Sequence, residues 1–382
     1  MPSGSEAAKL NCLEGTDDAL VISYLNVRSL VPKKDEVQLF LQEHKCAHVL
    51  GLSETWLNDN IPTGELAVAG FSSHRRDRGS GRGGGLLVYV SECVTSIRRS
   101  DLEDTDLEIL WIEVKLRKTK LLICNVYRPP DAKASWMDSM VVMVEKAVAE
   151  KAPVVIMGDF NCDMLLNDSK CVKLEDMTSD YGLVQMVRVP TRVTQTSRTQ
   201  IDLMFTTDDI GAVLDRVGCL ELGLSDHSLI YGVVTGCGKR GVNTMRLVRC
   251  FSKCNLERLV AELDAAPWQV MDALDDMDSK WDYWKMLFWK IVDSHVPLKK
   301  ARVRVKTLPW ITRELRVLMR TRNYHCKKAK KTGSEEDWKH YKELRNKVTL
   351  ELKKAKLQYF QALSKSQSSN KTKKTWTEIN RL

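Results

Sequence analysis

Residues 155–161 have the sequence Val-Ile-Met-Gly-Asp-Phe-Asn, and this segment gives the clearest indication of the fold. Apolar residues lead to Gly158, and the polar side chains of Asp159 and Asn161 follow at once. A short apolar run of this kind indicates a strand buried on both faces, and its polar end indicates a turn at the edge of the sheet. The pattern therefore predicts a sheet whose strand ends carry polar groups.

Similar apolar runs, rich in β-branched residues, recur through the first two-thirds of the chain. They lie at residues 20–25, 48–52, 85–90, 110–114, 121–127, 154–157, 201–205 and 229–234. Residues 34–43, 136–149 and 170–181 instead place their apolar side chains at helical spacing. Many short strands with few helices predict the α/β class, as a four-layered α/β sandwich in which helices flank two sheets.

The spacing of the apolar residues changes after residue 235. Glycines and basic residues indicate a linker, assigned to residues 236–254, and residues 255–382 have helical spacing. Near the end of the chain, one helix is expected to open at Pro309 and to stop at Gly333, and Ser334 is expected to cap the next. The predicted organisation is a tail at 1–19, a sandwich over 20–235, the linker, and a mostly α-helical basic extension.

Positive charge is concentrated at the end of the sequence. The chain has 59 Lys and Arg and 50 Asp and Glu, and residues 299–382 hold 25 of the basic but only 7 of the acidic residues. A segment with this excess binds polyanions, and nucleic acid is the first candidate. The plainer alternative is a solvated helical surface.

Composition excludes several classes of protein. A hydrophobic fraction of 43% and a charged fraction of 29% are those of an ordered globular chain. No apolar run approaches the ~18 residues of a membrane span, and the first residues lack a signal-peptide pattern, so we expect neither membrane contact nor secretion. The 11 cysteines are scattered without a C-x-x-C pair, as in nuclear or cytoplasmic proteins with reduced thiols.

Six islands of polar residues lie at the ends of the predicted strands, and together they suggest one chemistry. Carboxylates are hard ligands suited to Mg²⁺, amide and hydroxyl groups donate to phosphate, and an Asp–His pair charges an imidazole. A metal, a base and fixed donors are the set that cleaves a phosphate ester. The side chains concerned are Asn26, Glu54, Tyr127, Arg128, Asp159, Asn161, Asp202, Asp226 and His227.

Each island also has a purely structural explanation, because Asn and Asp are common turn formers at strand ends. Asp202 is the exception. It lies inside the apolar run Ile-Asp-Leu-Met-Phe at residues 201–205, so its carboxylate should be buried and should need a partner. His227 is the candidate partner.

The order Asn, Glu, Tyr, Gly-Asp-Phe-Asn, Ile-Asp, Ser-Asp-His resembles that of the endonuclease/exonuclease/phosphatase superfamily, which includes DNase I, exonuclease III and apurinic endonucleases. The sequence is more closely similar to the endonuclease domain of non-LTR (LINE-type) retrotransposon polyproteins. This similarity lies in Leu-Asn-Val-Arg-Ser-Leu (25–30), Ser-Glu-Thr-Trp-Leu (53–57), Gly-Gly-Gly-Leu-Leu-Val-Tyr-Val (83–90) and Val-Tyr-Arg-Pro-Pro (126–130). It covers roughly residues 20–235.

Residues 309–364 also resemble the basic helical segment that stands before the reverse transcriptase in such polyproteins. No Tyr-x-Asp-Asp sequence occurs in the chain. A fragment, or an element-derived product without the polymerase, is therefore expected.

The resemblance implies a DNase I-like fold and a metal site. Glu54 would be the main Mg²⁺ ligand, with Asn26 beside it, and Mn²⁺ is the expected substitute. Asp226 would be a second carboxylate on the metal side.

The resemblance also implies catalytic roles. Asp159 would activate the attacking water or serve the leaving oxygen, and Asn161 would orient that water and the phosphate. Tyr127 would contact the phosphate. Asp202 would hold His227, which would act as a base or as an electrostatic stabiliser.

Several arginines are candidates for contact with nucleic acid. Residues 74–78, with Arg82, are expected to form a flexible basic loop, and residues 191–198 are expected to form a hairpin that reaches a groove of DNA. Exposed arginines in loops are also common as solubilising groups. The candidates are Arg28, Arg75, Arg76, Arg78, Arg128 and Arg192.

The function predicted from these residues is a Mg²⁺-dependent DNA endonuclease that nicks a phosphodiester bond. Two alternatives stay open. The same fold could act as an abasic-site nuclease or an inositol-phosphate phosphatase, or the chain could be a non-catalytic nucleic-acid-binding protein. The expected partner is DNA, with RNA as a second candidate for the basic helices.

Overall fold

The secondary structure follows the alternation of short strands and few helices that the sequence predicts. The computed structural model describes residues 19–44, 47–79, 83–116, 119–166, 168–207, 214–235, 245–249, 254–302 and 308–365. The strands are β1 (Leu20–Asn26), β2 (Val49–Ser53), β3 (Phe71–Arg76), β4 (Leu86–Ser91), β5 (Ser96–Arg98), β6 (Glu108–Lys115), β7 (Lys120–Tyr127), β8 (Val154–Asp159), β9 (Leu183–Gln185), β10 (Arg192–Val193), β11 (Arg198–Thr199), β12 (Asp202–Thr207), β13 (Leu214–Leu220), β14 (Leu229–Val234), β15 (Met245–Arg249) and β16 (Leu298–Arg302). The α-helices are α1 (Lys34–Glu43), α2 (Ser135–Ala149), α3 (Ser169–Asp180), α4 (Leu256–Asp264), α5 (Met277–His295), α6 (Arg313–Thr332) and α7 (Glu335–Lys365).

Two mixed sheets form the centre of the sandwich. Within the described ranges, one has the strand order β13-β14-β1-β2-β4-β3 and the other the order β5-β6-β7-β8-β12-β9. Strands β1 and β2 run parallel in the first sheet, and β7 and β8 run parallel in the second. The polar ends of these strands therefore lie at one edge of each sheet, because parallel strands end on the same side.

Three apolar layers hold the sandwich together. Along β7, Leu122 packs towards helix α2, and its neighbour Ile123 packs into the layer between the two sheets. This alternation follows from the two-residue period of a strand. Helix α1 covers the outer face of the first sheet through Phe40 and Leu41. The order helix, sheet, sheet, helices confirms the predicted four-layered α/β sandwich.

Gly158 permits a close approach between β7 and β8. A Cβ atom at this position would lie 2.1 Å from the Val126 carbonyl oxygen and 2.5 Å from Val126 Cγ1. Gly158→Ala is expected to lower the free energy of unfolding by about 1–3 kcal/mol, or more, because neither atom can move without disturbing the sheet. At Gly64 no atom lies within 4 Å of an added Cβ, so Gly64→Ala is the control. Urea unfolding measures both, and equal midpoints for the two variants would contradict the steric argument.

The α6–α7 hairpin packs onto the sandwich. Leu39 of α1 shares a buried cluster with Trp310, Leu315 and Val348, and Arg322 of α6 pairs with Glu36 at 2.8 Å. One compact unit thus combines Met1–Gly241 with Val305–Leu382, and Val242–Arg304 forms a second.

The start of α6 differs from the prediction, and its end does not. The helix begins at Arg313, because the Thr312 side chain accepts the Leu315 N–H and caps it; Pro309 lies in a turn before it. Gly333 ends the helix in the left-handed conformation, with φ of 73°. The Ser334 hydroxyl then accepts the Asp337 N–H at 3.3 Å, as expected of a cap.

The second unit contains strands β15 and β16, which pair antiparallel, and helices α4 and α5. Leu259 and Ile291 pack α4 against α5. Part of the expected linker, residues 245–249, is thus a strand, and residues 236–244 and 250–253 lie outside the described residues. No helix in the described part of the chain has the length and apolar character needed to cross a bilayer.

Candidate active site

Three of the predicted site residues lie in one row across the second sheet. Tyr127 at the end of β7 is in register with Asp159 at the end of β8, and Asp159 is in register with Asp202 at the start of β12. Asp159 and Asp202 are almost completely buried. The backbone pairing therefore places two carboxylates and a phenol side by side. The sequence indicated that these residues lie at strand ends, but not that they are in register.

The first sheet adds Asn26 and Glu54 to this row. The Asn26 Nδ2 group donates to Glu54 Oε1 at 2.8 Å and to Asp159 Oδ2 at 2.8 Å. The Asn26 Oδ1 atom accepts the Arg28 backbone N–H at 3.1 Å, which fixes the orientation of the amide. A carboxylate–amide–carboxylate chain thus connects the two sheets at their common edge.

Several residues at this edge have left-handed backbone conformations. Positive φ angles occur at Arg28, Ser29, Glu54, Trp56 and Asn161, from 44° to 74°. A non-glycine residue in a sparsely populated region costs of order 1–3 kcal/mol, and such residues cluster where function requires a fixed geometry. The bends after β1, β2 and β8 are therefore strained at the points where polar side chains must turn towards one another.

Asn161 is held from both sides. Its backbone N–H donates to Asp159 Oδ1 at 3.0 Å, and its side-chain Nδ2 donates to the Arg128 carbonyl at 2.7 Å. The side chain consequently stands next to the buried carboxylate at the end of β8.

The Asp202–His227 pair is present, as the buried position of Asp202 predicted. His227 Nδ1 lies 2.8 Å from Asp202 Oδ2 and 3.0 Å from Asp202 Oδ1. Burial alone would lower the pKa of His227, but the charges of Asp202 and Asp159 outweigh it, and the pKa is raised. The imidazole is thereby stabilised in its charged form.

Burial raises the pKa of Asp159, and repulsion from Asp202 adds to the increase. Burial also raises the pKa of Tyr127, which is raised further by the charges of Glu54 and Asp159. Tyr127 therefore keeps its proton and remains a hydrogen-bond donor. Ligand atoms of Asp159, Asp202 and His227 all lie within 4.8 Å of one another, so the two carboxylates and the imidazole form one compact group.

The donor set fits a hard divalent cation. Glu54 and Asp159 offer carboxylate oxygens on the two sides of the Asn26 amide, and Mg²⁺ prefers such oxygens together with water. Glu54 is partly exposed, so an ion could reach it. No thiol belongs to the group, which disfavours soft metals.

Asp226 has a different setting. Its carboxylate pairs with Arg28 at 3.0 Å and with Arg192 at 2.9 Å. Burial would raise the pKa of Asp226, but the charges of His227 and Arg28 outweigh it, and the pKa is lowered. No hydrogen bond joins Asp226 to Asn26 or Glu54 in the described residues. Asp226 therefore bridges two guanidinium groups, and this pairing does not favour its predicted role as a second carboxylate on the metal side.

Three of the proposed DNA-contacting arginines are bound to their own domain. Arg75 pairs with Asp77, Arg76 donates to the carbonyls of residues 104, 105 and 109, and Arg78 pairs with Glu108. Residues 71–76 form strand β3, so the expected flexible loop is wrong; Arg82 lies outside the described residues. These side chains have internal partners that a DNA phosphate would have to displace.

Arg128 is also unsuited to contact with DNA. Only 3% of its surface is exposed, and its guanidinium lies 5.6 Å from the centre of the Trp136 ring. It donates to the Phe160 carbonyl at 3.4 Å. Its contacts support the loop that carries Asp159 and Asn161.

The hairpin expected at residues 191–198 is confirmed by the pairing of β10 with β11.

Sequence reasoning missed two residues that contact the neighbours of the site. Glu108 is in register with Tyr127 and pairs with Arg78, but an acid at the start of an apolar run carries no signal. Lys330 of α6 donates to the Asp226 carbonyl at 3.0 Å, beside His227. It lies in a run of lysines, and nothing in that run distinguishes it.

Comparison with known proteins gives one extended sequence match. The sequence model of the "Endonuclease/Exonuclease/phosphatase family" matches residues 23–227, and that of the "Female sterile protein K10 C-terminal domain" matches residues 311–374. No curated protein matches the chain.

Solved structures match over nearly their whole length. The AP endonuclease LMAP from Leishmania major is 15% identical, with a TM-score of 0.50, over 62% of this chain and 99% of that one. The endonuclease domain of TRAS1, a telomere-specific non-LTR retrotransposon, is 18% identical, with a TM-score of 0.47, over 56% and 98%. An AP endonuclease from Archaeoglobus fulgidus is 17% identical, with a TM-score of 0.45, over 56% and 99%. The similarity to LMAP supports the DNase I-like fold.

Proposed function

The chain belongs to the endonuclease/exonuclease/phosphatase family, and we propose that it is a Mg²⁺-dependent DNA endonuclease that hydrolyses a phosphodiester bond. One observation carries the proposal. The Asn26 amide connects Glu54 to Asp159 across the two sheets, next to the Asp202–His227 pair. A candidate cation site and a charged imidazole thus lie at one edge of the sandwich, which supports the proposal.

Glu54 would be the main ligand of the divalent ion, with Asn26 beside it and Mn²⁺ as a substitute for Mg²⁺. When bound, the ion supplies a Lewis acid that polarises the phosphoryl oxygen. Asp159, whose pKa is raised by burial, would accept the proton of the attacking water, and the N–H groups of Asn26 and Asn161 would fix the orientation of its carboxylate. Asn161 would orient that water.

The remaining groups would stabilise the negative charge of the transition state. His227, held charged by Asp202, would donate from its free ring nitrogen to a phosphate oxygen. Tyr127 would donate its phenolic proton to another. Donors fixed before the reaction lower the barrier because they need no reorganisation. Asp226 would position Arg28 and Arg192 at the rim rather than bind the ion.

DNA is the proposed substrate, and nuclear location would follow from it. LMAP and the TRAS1 domain are named as nucleases, and the family itself includes phosphatases. The motifs of residues 25–30 and 126–130 favour nicking of intact target DNA, as in an element-derived endonuclease, over cleavage at abasic sites or of inositol phosphates.

A single assay tests the proposal. Purified protein is incubated with supercoiled plasmid, with a duplex that carries one abasic site, and with a phosphoinositide, each with Mg²⁺ and with excess EDTA. We expect nicked circles with Mg²⁺ or Mn²⁺ and none with EDTA. Release of phosphate from the lipid alone, or incision only at the abasic site, would assign a different substrate. Cleavage that persists in EDTA would exclude the metal.

A further inference from the structure

A groove of about 740 Å³ lies between the sandwich and the α6–α7 hairpin. Arg28, Lys33 and Trp56 line one side, and Lys342 and Arg345 of α7 line the other. Between them lie the loops at residues 193–196 and 223–226. The C-terminal hairpin therefore supplies one wall of a channel that the sandwich alone does not have.

The groove lies beside the candidate active site, because three of its lining residues contact or adjoin residues of that site. The Trp56 ring N–H donates to Glu54 Oε2 at 3.3 Å, and the Arg28 backbone N–H donates to Asn26 Oδ1 at 3.1 Å. Asp226, also in the lining, precedes His227. A polymer with one phosphate at the candidate active site would therefore have this groove next to it for its neighbouring residues.

The lining carries an excess of positive charge. Its acids are already paired, Glu36 with Arg322 at 2.8 Å and Asp226 with Arg28 at 3.0 Å. The other lining cations are Lys33, Lys330, Lys342 and Arg345. Of these, Lys330 pairs with Glu221 at 2.6 Å.

Lys342 and Arg345 are exposed on α7. Lys342 donates to the neutral Gln195 side chain at 3.0 Å, and Arg345 stands over the Tyr341 ring. Neither has an ion pair with a carboxylate within the part of the chain that the structure describes. Burial, and then the charges of Arg28 and Arg345, lower the pKa of Lys33 to about 8, although Asp226 opposes this. An anion in the groove would relieve this crowding of cations.

The hairpin wall is fixed to the loop that carries His227. Lys330 donates to the Asp226 carbonyl at 3.0 Å, and Arg322 donates to the Leu222 carbonyl at 3.1 Å. The Tyr341 hydroxyl donates to the Gly223 carbonyl at 3.3 Å. Lys342 and Arg345 therefore have a set position relative to the catalytic groups, as positioning of a bound strand requires.

We propose that this groove binds the sugar–phosphate backbone of DNA beside the cleaved bond, with Lys342 and Arg345 as phosphate contacts. The proposal rests on the proposed function, since the groove is assigned to DNA through its position beside the proposed hydrolytic site. Trp56, half-buried at the mouth, would offer its ring to a base or sugar of the strand.

The test reverses the charge of the two phosphate contacts. The double variant Lys342→Glu/Arg345→Glu is compared with Lys347→Glu/Lys353→Glu, which makes the same change of charge on the same helix at exposed residues outside the groove lining. Circular dichroism checks that both variants keep their helices. The dissociation constant for a fluorescent duplex is measured in EDTA, where no cleavage is expected, over a series of salt concentrations.

For the groove variant we expect the dissociation constant to rise on the order of ten- to a hundredfold, and the salt slope to fall by about two. In the nicking assay KM should rise with it, and kcat at saturating DNA should change little. The control pair should bind like the parent. Unchanged binding by the groove variant, or equal losses in both variants, would overturn the proposal.

Two further results have definite meanings. Tighter binding of an RNA of the same sequence, lost in the groove variant alone, would overturn the assignment to DNA. Because binding is measured without cleavage, a parent protein that binds through the groove but never nicks would refute the proposed function alone.

Discussion

Asp159→Asn should lower kcat for Mg²⁺-dependent nicking by about 10²–10⁴-fold, the usual contribution of a general base. The variant keeps the shape of the side chain but cannot accept a proton from water. Asn26 Nδ2 and the Asn161 N–H both donate to the two oxygens of Asp159. An amide can accept only one of these donors, so the loop after β8 also loses one hydrogen bond.

The stability of Asp159→Asn gives an independent check. Asp159 is buried against Asp202, and repulsion between them helps to raise the pKa of Asp159. Removing the charge relieves that repulsion and offsets the lost hydrogen bond, so we expect a Tm close to that of the parent, although activity is lost. Such a trade of stability for function is common at active sites. Asp176→Asn, on the exposed side of α3, is the control and should leave both kcat and Tm unchanged. Parental kcat in Asp159→Asn would remove the residue from the mechanism.

The sequence was sufficient to predict the sandwich and the residues that meet at its edge. Each catalytic candidate lies at the end of a short apolar run or inside one, and the chain order of those runs matches a known family. Backbone register does the rest, because pairing β7 with β8 and β8 with β12 brings Tyr127, Asp159 and Asp202 together. The local sequence pattern was sufficient to locate these residues, because the end of a strand is a local feature of the sequence.

The partners of the arginines could not be predicted, because they depend on long-range contacts. Arg78 finds Glu108 thirty residues away, and Arg76 finds carbonyls at residues 104–109. A basic run gives no information about such partners. Arg128 directly follows a buried strand, a position at which a charged side chain is expected to be exposed. Its guanidinium packs against Trp136 instead.

The docking of the C-terminal hairpin was likewise not predictable. The apolar stripes of α6 and α7 indicate that each helix is buried on one side, but not against what. The position of the hairpin is set by contact with Leu39 of α1. It is also set by the hydrogen bonds that Lys330 and Tyr341 donate to the loop at residues 221–228. The basic extension therefore lies beside the candidate active site, whereas its charge alone suggested only a separate binding segment.

His227→Ala and Asp202→Asn should each reduce kcat by about 10²–10⁴-fold, and the double variant should be no worse than the more damaging single one. The reason is geometric. Both carboxylate oxygens of Asp202 lie within 3.0 Å of His227 Nδ1, so Asp202 acts on the reaction through the imidazole. Without His227 the carboxylate has no catalytic task, and groups that act as a unit have non-additive effects.

Additive losses in this double-mutant cycle would show that Asp202 and His227 act separately, for example as two ligands of a second ion with Asp159. The proximity of these three residues to one another supports that alternative. Metal titrations of each variant distinguish metal binding by Asp202 from its action through His227. If Asp202 only orients and charges His227, its Asn variant keeps the parental Mg²⁺ concentration for half-maximal rate. If it binds an ion, that concentration rises. Since Asn26 joins Glu54 to Asp159 without involving Asp202, we expect an unchanged requirement for Mg²⁺ and a slower chemical step.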